Sequence, residues 1–388
     1  MSSSSSVAVD IASFAPEVWT ASSNDALTLS LAEEEGAFKF HPAFTYPIFG
    51  DAEQIFGYQD LKINLAFDST TLLPFLNVSY SEKLPNVDIE DPEKKLMEYL
   101  PESTILKDES KWVDKKNQEL NFFKIPGELI KEYKDENGEI FSIYKTCFKD
   151  DEALKLHLRM QIFVLFFIEL GSYIDKSDLS WELYFLYKTS TIKKSSSSSF
   201  SSRPSFVGFC TLYSYFRYPG FNEYDLSEES MLDSNKKISQ FVVLPPYQQK
   251  GHGKHLYNAM VDHWLNDKHA KSIAIEDPNE SFDDLRDRCD LERLHLIGFF
   301  EEVAKLNLPI SKKWLDLKEK QLKLDKRQLQ RCYALLELDK PTRLDKLQTA
   351  YERLEEDYLR ILEKLQFTNP KKRTIQETSN SSAKKTKS

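Results

Sequence analysis

Short runs with a two-residue period of apolar positions characterise the first third of the chain. Two such runs are Ile63–Phe67 and Phe75–Tyr80. A two-residue period is typical of β-strands that bury one face. Residues that favour turns separate the runs, namely Pro47, Gly50, Gly57 and Pro85. We therefore predict a strand-rich domain over about 16–125, whose fold the pattern alone does not define.

A longer segment has a helical period. Between Asp150 and Tyr173 the apolar residues recur three or four positions apart, and acidic residues occupy the first turn, where the positive end of a helix dipole favours them. The apolar positions are Leu154, Leu158, Ile162, Leu165 and Ile168. We predict one helix over 150–173 that buries this face, with Glu169 interrupting the apolar surface near its end.

Two further strands are predicted at Trp181–Leu186 and Phe206–Tyr213, which are rich in aromatic and β-branched residues. The serine-rich connection between them, about 189–205, lacks residues that could form a core, so we expect a flexible insertion there. From about residue 311 the leucines recur at helical spacing, which predicts a helical domain up to about 366. We expect residues 1–15 and the basic tail 367–388 to be disordered.

The segment 238–288 predicts a strand, a loop, a helix over about 251–267, a second strand and a helix from about Asp283. Its loop contains Gln248, Gly251 and Gly253 in the pattern Q-x-x-G-x-G. Glycines at a helix start let a bound group approach the backbone, and the free N–H groups there attract anions such as pyrophosphate. The pattern is neither a P-loop nor a Rossmann fingerprint, and an ordinary glycine-containing turn is the alternative.

Composition restricts the class of protein. The chain has 388 residues, of which 40% are hydrophobic and 13% aromatic, enough for two or three domains with their own cores. Its four cysteines include no C-x-x-C pair, which excludes a zinc ribbon, a thioredoxin-like site and a disulfide framework. The longest apolar run, Ile162–Ile168, is too short for a membrane span, and the N-terminus lacks a signal-peptide pattern. We expect an intracellular protein.

The charge is uneven along the chain. The net charge is −10, but the last 19 residues carry six basic residues and one acidic residue, so the remainder has 46 basic and 61 acidic residues and a formal charge of −15. An acidic body disfavours nucleic acid and favours a basic partner, although solubility alone is the simpler explanation. The basic tail is typical either of a nuclear-import signal or of a solvated end.

Several strings of residues resemble a known family. The Q-x-x-G-x-G loop, preceded by Pro245 and Pro246, is similar to the acetyl-CoA-binding motif of the GNAT N-acetyltransferases. More narrowly, four strings resemble type B histone acetyltransferase catalytic subunits: 238–253, 276–288, 44–51 and 57–60. The similarity extends from about Pro16 to Asp339. The serine-rich insertion and everything beyond about residue 340 depart from the family.

The resemblance implies an α+β (mixed α/β) fold of the GNAT type. It places a catalytic domain at 126–310, an N-terminal α/β domain at 16–125 that borders the substrate groove, and a C-terminal helical extension at 311–366. It also implies acetyl transfer from acetyl-CoA to lysines near the N-terminus of newly made, free histone H4. Two alternatives stay open: a GNAT enzyme for another amine, and a catalytically silent acetyl-CoA-binding or histone-escort module.

The resemblance further implies a WD40-repeat histone-binding subunit as a partner, and a location in both the cytoplasm and the nucleus, with links to chromatin and DNA repair. It implies no direct contact with nucleic acid, no membrane and no metal. The histidines fit the absence of a metal, because His252, His255, His263 and His269 lie mostly on one predicted helix. His252 follows a glycine of the loop, and we interpret it as a loop residue and not as a ligand.

The reaction needs a base, because a lysine amine with a pKa near 10.4 is neutral only about once in a thousand at pH 7.4. Glu276 ends the second predicted strand beside the loop, where substrates enter, and is our first candidate; Asp277 follows it directly. The alternative is that both residues only form the turn at Pro278. The resemblance places a glutamate that matches Glu169 near the substrate amine; otherwise Glu169 faces solvent at a helix end.

The expected cofactor contacts lie in the same segment. Backbone groups of Phe241, Val242 and Val243 would pair with the pantetheine arm as another strand does, leaving the thioester carbonyl near a backbone N–H. The residues expected to hold the pyrophosphate are Gln248, Gln249, Lys250, Gly251, His252, Gly253 and Lys254. By resemblance, Asn279 and Arg288 add polar contacts, with a surface ion pair as the alternative for Arg288.

For the histone tail, the resemblance suggests the groove between the N-terminal and catalytic domains. Its expected acidic contacts are Asp51, Glu53 and Asp60. The other expected contacts are Tyr215, Phe216 and Arg217, in an aromatic run that also contains Tyr213 and Tyr218. The alternative is that these aromatic side chains belong to the core of the strand.

Overall fold

A computed structural model describes residues 16–85, 89–190, 203–218, 233–299, 302 and 311–336. The chain divides into one compact unit that ends at Gln330 and a second that begins at Arg331. The predictions for residues 1–15, for most of the serine-rich insertion and for the helix and tail beyond residue 336 lie outside the described residues. The predicted domain boundaries near residues 125 and 310 stay predictions.

The part of the chain up to residue 125 contains a five-stranded sheet and two short ladders. Its strands are β1 (Thr20–Ser22), β2 (Leu27–Ala32), β3 (Ala37–Phe40), β4 (Gln54–Phe56), β5 (Tyr58–Gln59), β6 (Lys62–Asp68), β7 (Pro74–Ser79), β8 (Glu82–Lys83) and β9 (Ile105–Leu106). The sheet has the order β3-β2-β6-β7-β9. Ile63, Leu65 and Phe67 at alternate positions of β6 are fully buried, which confirms the predicted strand.

Short helices accompany this sheet. They are α1 (Ser23–Ala26), α2 (Tyr46–Phe49), α3 (Pro92–Met97) and α4 (Glu109–Leu120). The side chains of Asp91 and Asp108 cap the first turns of α3 and α4 by accepting backbone N–H groups, as aspartate commonly does at a helix start. Trp112 of α4 is buried and donates its indole N–H to the carbonyl oxygen of Leu73 at 3.0 Å, which holds α4 against the sheet.

A six-stranded sheet follows. Its strands are β10 (Glu128–Lys134), β11 (Ile140–Cys147), β12 (Trp181–Ser190), β13 (Ser205–Phe216), β14 (Ser234–Val243) and β15 (Ala270–Ile275), in chain order across the sheet. Neighbours are antiparallel except β14 and β15, which are parallel. Parallel neighbours need a crossover, and α7 (His252–Asn266) provides it. The predicted strand–loop–helix–strand unit and the mixed α/β class are confirmed.

One continuous cluster of buried residues includes strands of both sheets. Helices α5 (Asp151–Met160) and α6 (Ile162–Phe167) lie at this junction. The rings of Phe67 and Phe163 are 4.8 Å apart. The buried guanidinium of Arg159 binds both carboxylate oxygens of Glu119 in α4, at 2.7 and 2.9 Å, and also donates to the carbonyl oxygen of Thr71. The helices therefore connect the two sheets by apolar packing and by a buried ion pair.

The predicted helix over 150–173 was wrong in its second half. It is interrupted between α5 and α6, and α6 ends at Phe167. Leu170 then has a φ of +57°. A Cβ on Gly171 would lie only 2.7 Å from the carbonyl oxygen of Val164, so the chain folds back tightly on the helix end, where only glycine fits. Glu169 therefore lies in an exposed turn and not on a helix face.

The helices that follow β15 include two in the region where the leucine spacing predicted a helical domain from about residue 311. Helix α8 (Glu280–Leu296) begins three residues earlier than expected, and it is followed by α9 (Lys312–Leu322) and α10 (Lys326–Leu336). Between α9 and α10, Lys323 has a φ of +52°, and Leu324 forms a parallel bridge with Ile273 of β15. The amide of Ile273 donates to the carbonyl oxygen of Lys323 at 2.8 Å, so this break covers the outer edge of the sheet.

Candidate functional site

Strands β14 and β15 separate halfway along β14. Their last ladder pair is Ile238 with Ile275, and the amide of Glu276 then donates to the carbonyl oxygen of Ile238 at 2.9 Å. Asp277 has a φ of +36°, and the chain turns away. The rest of β14, 239–243, pairs with β13 on one side and with no strand of the described residues on the other. An extended ligand can therefore bind along this open backbone edge.

A short exposed loop follows this open edge. After a 3₁₀ turn at Pro245–Tyr247, residues 248–251 are exposed, and Gln249 and Gly251 have φ values of +59° and +82°. Gly251 precedes α7, and no side chain caps the helix start. Nothing lies within 4 Å of the position that its Cβ would occupy. The first amides of α7 thus have an open approach, as a bound pyrophosphate requires.

The side chains of the loop mostly bind the protein itself. The Gln248 amide nitrogen donates to the carbonyl oxygen of Val243 at 2.8 Å, and the Lys250 ammonium donates to that of Pro246 at 2.7 Å. Lys254 forms an exposed ion pair with Glu292 at 2.6 Å. The side chain of His252 points into the core and is only 2% exposed. The groups that the loop can offer to an anion are therefore mainly backbone N–H groups. His252 can contribute its backbone N–H group but not its side chain.

Asn279 directly precedes α8, and Arg288 lies within this helix. The Asn279 side-chain oxygen accepts the amide of Phe282 at 2.9 Å and caps the helix. Arg288 is 72% exposed and bonds to Asp284 one turn earlier, at the carbonyl oxygen. A Cβ on Gly253 would lie 3.4 Å from the side chain of Leu285, and Glu292 binds Lys254, so the helical face that includes Arg288 borders the start of α7. Arg288 thus lies close to the loop. The observed contact of the Asn279 side chain is the helix cap.

Glu276 is held by two donors from the neighbouring strand. Its carboxylate oxygens lie 2.5 Å from the Lys237 ammonium and 2.5 Å from the Ser239 hydroxyl. Burial raises the pKa of Glu276, but the bonds from Lys237 and Ser239 outweigh burial and hold this pKa below its usual value. The side chain is still 39% exposed. At neutral pH it is therefore an ionised, accessible carboxylate that can accept a proton.

The turn that carries Glu169 lies close to the same part of β14. The carbonyl oxygen of Ser172 accepts the side-chain amide of Gln240, next to Ser239, at 2.8 Å. The amide of Leu170 lies 2.5 Å from the hydroxyl of Tyr46 in α2, so the turn also contacts the N-terminal sheet region. Glu276 therefore binds Ser239 directly, whereas the turn that contains Glu169 binds the adjacent residue, Gln240. Asp277 is exposed in the turn after Glu276.

The predicted acidic substrate contacts differ from one another. Asp51 and Asp60 are exposed, and Asp60 accepts the Ser81 hydroxyl at 2.9 Å. Glu53 instead accepts the amides of Thr45 and Tyr46 and the side-chain amide of Asn24, at 2.6, 3.1 and 2.7 Å. The bond from the Thr45 amide is the main reason why its pKa is lowered. Its carboxylate therefore caps α2, the helix that contacts the Glu169 turn.

The predicted aromatic contacts lie at the far end of β13. Tyr215, Phe216 and Tyr218 are exposed and do not belong to the core. The ring of Tyr213 packs at a tilt against that of Trp181, with centroids 4.9 Å apart, and Tyr213 lies opposite Lys237 in the ladder. The amide of Arg217 donates to the carbonyl oxygen of Asp233 at 2.9 Å. The exposed aromatic side chains thus continue the sheet surface beyond the contact between Lys237 and Glu276.

Two residues of this site were missed by the sequence analysis, Lys237 and Ser239. Their two-residue spacing places both on one face of a strand. Only the parallel pairing of β14 with β15 shows that this face meets Glu276. Within the described part of the chain, no group of three or more potential metal ligands is present. Nor is any helix of these residues long and apolar enough to cross a membrane.

Comparison with known proteins identifies the family. The family model for the histone acetyl transferase HAT1 N-terminus matches residues 19–169, and that for the fungal HAT1 C-terminal region matches residues 287–338. A part of the chain is also similar to a solved aminoglycoside acetyltransferase from a soil metagenome, with 15% identity, a TM-score of 0.25, and coverage of 39% of this chain and 85% of that one. A TM-score this low supports no inference about this protein.

Full-length relatives are more informative. The histone acetyltransferase type B catalytic subunit of Debaryomyces hansenii is 45% identical over 412 residues, covering 97% of both chains. That of Candida albicans is 43% identical over 423 residues and covers both chains completely. The chain therefore belongs to the family of histone acetyltransferase type B catalytic subunits and is an acetyltransferase.

Proposed function

We propose that this chain transfers the acetyl group of acetyl-CoA to lysine side chains in the N-terminal tail of newly synthesised, free histone H4. The observation that carries the proposal is the open backbone edge of β14. It has an uncapped helix start with an exposed loop at one end and an ionised carboxylate at the other. Family membership supports acetyl transfer to histones, while the histone H4 tail is our assignment.

Acetyl-CoA fits this arrangement with its pyrophosphate at the loop and its acetyl group towards Glu276. The backbone N–H groups at Gly251–Gly253 would hold the pyrophosphate, and the open edge at Phe241–Val243 would pair with the amides of the pantetheine arm. Of the other predicted contacts, Gln248 and Lys250 bind carbonyl oxygens that precede the loop, and Gln249 is an exposed loop residue. Lys254 and Arg288 lie on the adjacent helices α7 and α8. The acetyl group would then reach the point where β14 and β15 separate, beside Ser239 and Glu276.

The chemical step follows from the state of Glu276. Because its carboxylate is ionised at neutral pH, it can accept a proton from the ammonium of an incoming lysine, directly or through one water molecule. The amine nitrogen then forms a bond to the thioester carbon, and the carbon–sulfur bond breaks. The nitrogen loses its second proton, and the leaving thiolate of CoA takes up a proton from it, directly or through water, so that an amide and the free thiol of CoA result. Glu169, whose turn binds Gln240 of β14 through the carbonyl oxygen of Ser172, is the second candidate for the base, and Asp277 is the third.

The proposed tail contacts are exposed groups. They are Asp51, Asp60 and the aromatic residues at the end of β13, and the formal charge of −15 outside the last 19 residues attracts a basic peptide. Glu53 would act indirectly by holding α2 in place. We further propose a WD40-repeat histone-binding subunit as partner and a distribution between cytoplasm and nucleus, both from family resemblance.

Label transfer from acetyl-CoA tests the proposal. Free histone H4, nucleosomes, spermidine and a protein N-terminal peptide would be compared at equal amine concentration, with Glu276→Gln as the control. We expect labelled lysines in the tail of free H4, much less label on nucleosomes, and little transfer by the variant. Preferred labelling of spermidine or of an α-amine would assign the protein to another substrate class. The absence of CoA binding in calorimetry would overturn the proposal altogether.

A further inference from the structure

The residues on either side of the exposed loop 248–251 both have buried side chains. Tyr247 precedes the loop and is 5% exposed, and His252 follows it and is 2% exposed. Their rings lie 6.1 Å apart, edge to face. The exposed loop therefore begins and ends next to two buried rings that lie close together. These two rings fix both ends of the loop.

The His252 end has the larger set of contacts. Its Nδ1 atom and the hydroxyl of Tyr133 in β10 share a hydrogen bond of 2.8 Å. Its ring also packs at 4.2 Å from the ring of Phe141 in β11. Tyr133 stacks in parallel on His255, one turn further along α7, at 3.8 Å, and on Phe141 at 5.4 Å. One tyrosine thus contacts the first turn of α7 at two positions.

The Tyr247 end is fixed in a similar way. Its hydroxyl lies 3.5 Å from the Glu33 carboxylate, and its ring packs edge to face with Phe38 of β3 at 6.1 Å. The Lys250 ammonium lies above the same ring at 6.0 Å and also binds the carbonyl oxygen of Pro246. The loop therefore rests on the N-terminal sheet at one end and on the edge of the six-stranded sheet at the other.

We infer that Tyr133 and His252 are positioning residues for acetyl-CoA, which fix the start of α7 so that its free amides already face the pyrophosphate before it binds. The inference rests on the proposed function of the loop and assigns a role to two side chains that do not reach the ligand. A loop that is already ordered loses less conformational entropy on binding, so its affinity is higher for the same contacts. His252 thus acts through the core, although the sequence placed it in the loop.

A role of His252 as a ligand or as a base does not fit its surroundings. Burial lowers its pKa to about 4, so the imidazole is neutral at physiological pH. The groups that influence its charge are Asp135, His255 and Lys250, and its ring is enclosed by aromatic side chains. A neutral, buried imidazole cannot neutralise a phosphate. It can, however, hold a helix start in place through one hydrogen bond and close packing.

Two substitutions test the inference in the full-length protein, with calorimetric CoA affinity and steady-state kinetics as readouts. Tyr133→Phe removes only the hydroxyl, and we expect the Kd for CoA and the KM for acetyl-CoA to rise about 3- to 10-fold, as the loss of one buried hydrogen bond allows. The kcat and the KM for histone H4 should change less than about twofold. Tyr144→Phe, in the neighbouring strand β11, is the matched control and should leave all four values unchanged.

A pair of substitutions at His252 separates positioning from stability. His252→Asn keeps a polar partner for Tyr133, whereas His252→Leu keeps the volume and is apolar. We expect the Asn variant to bind CoA more tightly than the Leu variant, even though leucine suits a buried site better and should give the higher melting temperature. If wild type binds CoA and all variants bind it equally well, the inference is wrong. If wild type does not bind CoA, the proposed function fails instead.

Discussion

The two ends of the open edge of β14 are built from different interactions. At the loop end, 241–253, buried rings and one hydrogen bond between neutral groups support an exposed backbone. At the carboxylate end, Lys237, Ser239 and Glu276 hold one another by charge and hydrogen bonds, partly in contact with solvent. Packing is insensitive to salt and to moderate pH changes, whereas partly exposed ion pairs respond to both. We therefore expect the affinity for the cofactor to change little with salt concentration and moderate pH changes, and the turnover rate to change with both.

The largest effect is expected at the carboxylate end. Glu276→Gln keeps the shape of the side chain but removes its capacity to accept a proton, and we expect kcat to fall about 10²- to 10⁴-fold. CoA affinity, measured by calorimetry, should stay within about twofold of wild type because the loop end is unchanged. Full turnover of the variant at pH 7 would eliminate Glu276 as the base and direct attention to Glu169, whose own Gln variant is the parallel measurement.

An intermediate effect is expected at the loop end. Gly251 has a φ of +82°, which costs a side-chain-bearing residue about 1–2 kcal/mol. Gly251→Val should therefore weaken CoA binding about 5- to 30-fold, with little change in kcat. Since nothing lies within 4 Å of the Cβ position, the cost comes from the backbone and not from a clash. Gly251→Asn is the control, because asparagine adopts this conformation more readily, and an equal loss in both variants would contradict the explanation.

A smaller effect should follow from removal of the charge next to Glu276. Lys237 lowers the pKa of Glu276, so Lys237→Met should raise this pKa and move the acidic limb of the kcat/KM profile to higher pH. Because the pair is partly exposed, we expect a loss of at most about fivefold at any pH on that limb. Lys237→Arg should keep the wild-type profile. A profile that does not move in the Met variant would mean that Glu276 does not control the acidic limb.

The last expected effect concerns stability. Burial lowers the pKa of His252 to about 4 and that of His157 to about 3, against about 6.5 in an unfolded chain. Below pH 6.5 the unfolded chain takes up protons that the folded chain excludes, so the free energy of unfolding should decrease as the pH falls towards 4. Urea unfolding at pH 7 and pH 5 measures this decrease. It should be smaller in His252→Asn, and an unchanged decrease would show that other groups cause it.

Local patterns predicted the order of elements around the site better than its contacts. The strand–loop–helix–strand unit and the glycine loop follow from periodicity and from the conformational freedom of glycine, which are properties of neighbouring residues. The contact of Lys237 with Glu276 depends on the register of two strands that 26 residues separate, from Val243 to Ala270. Periodicity also could not show that α6 ends at Phe167, because the apolar spacing includes Ile168, which lies just after the end of the helix.

Two side chains show a further reason why sequence reasoning was incomplete. The orientation of His252 depends on the left-handed backbone of Gly251, which directs the imidazole into the core although the neighbouring loop is exposed. Glu53 has the charge of a substrate contact, but the amides of α2 and the side chain of Asn24 already occupy its carboxylate. In both cases the residue type was compatible with a ligand-binding role, but tertiary contacts engage the side chain within the protein.

The break between α9 and α10 has a practical consequence for shortening this protein. The ammonium of Lys323 donates to three carbonyl oxygens at the end of α7, those of Trp264, Leu265 and Asp267, while its own carbonyl oxygen accepts the outer amide of β15. A truncation that ends before residue 311 would expose that strand as an unpaired edge, and such edges recruit strands from other molecules. Trimming the C-terminal helices should therefore yield a polypeptide that self-associates instead of a minimal enzyme.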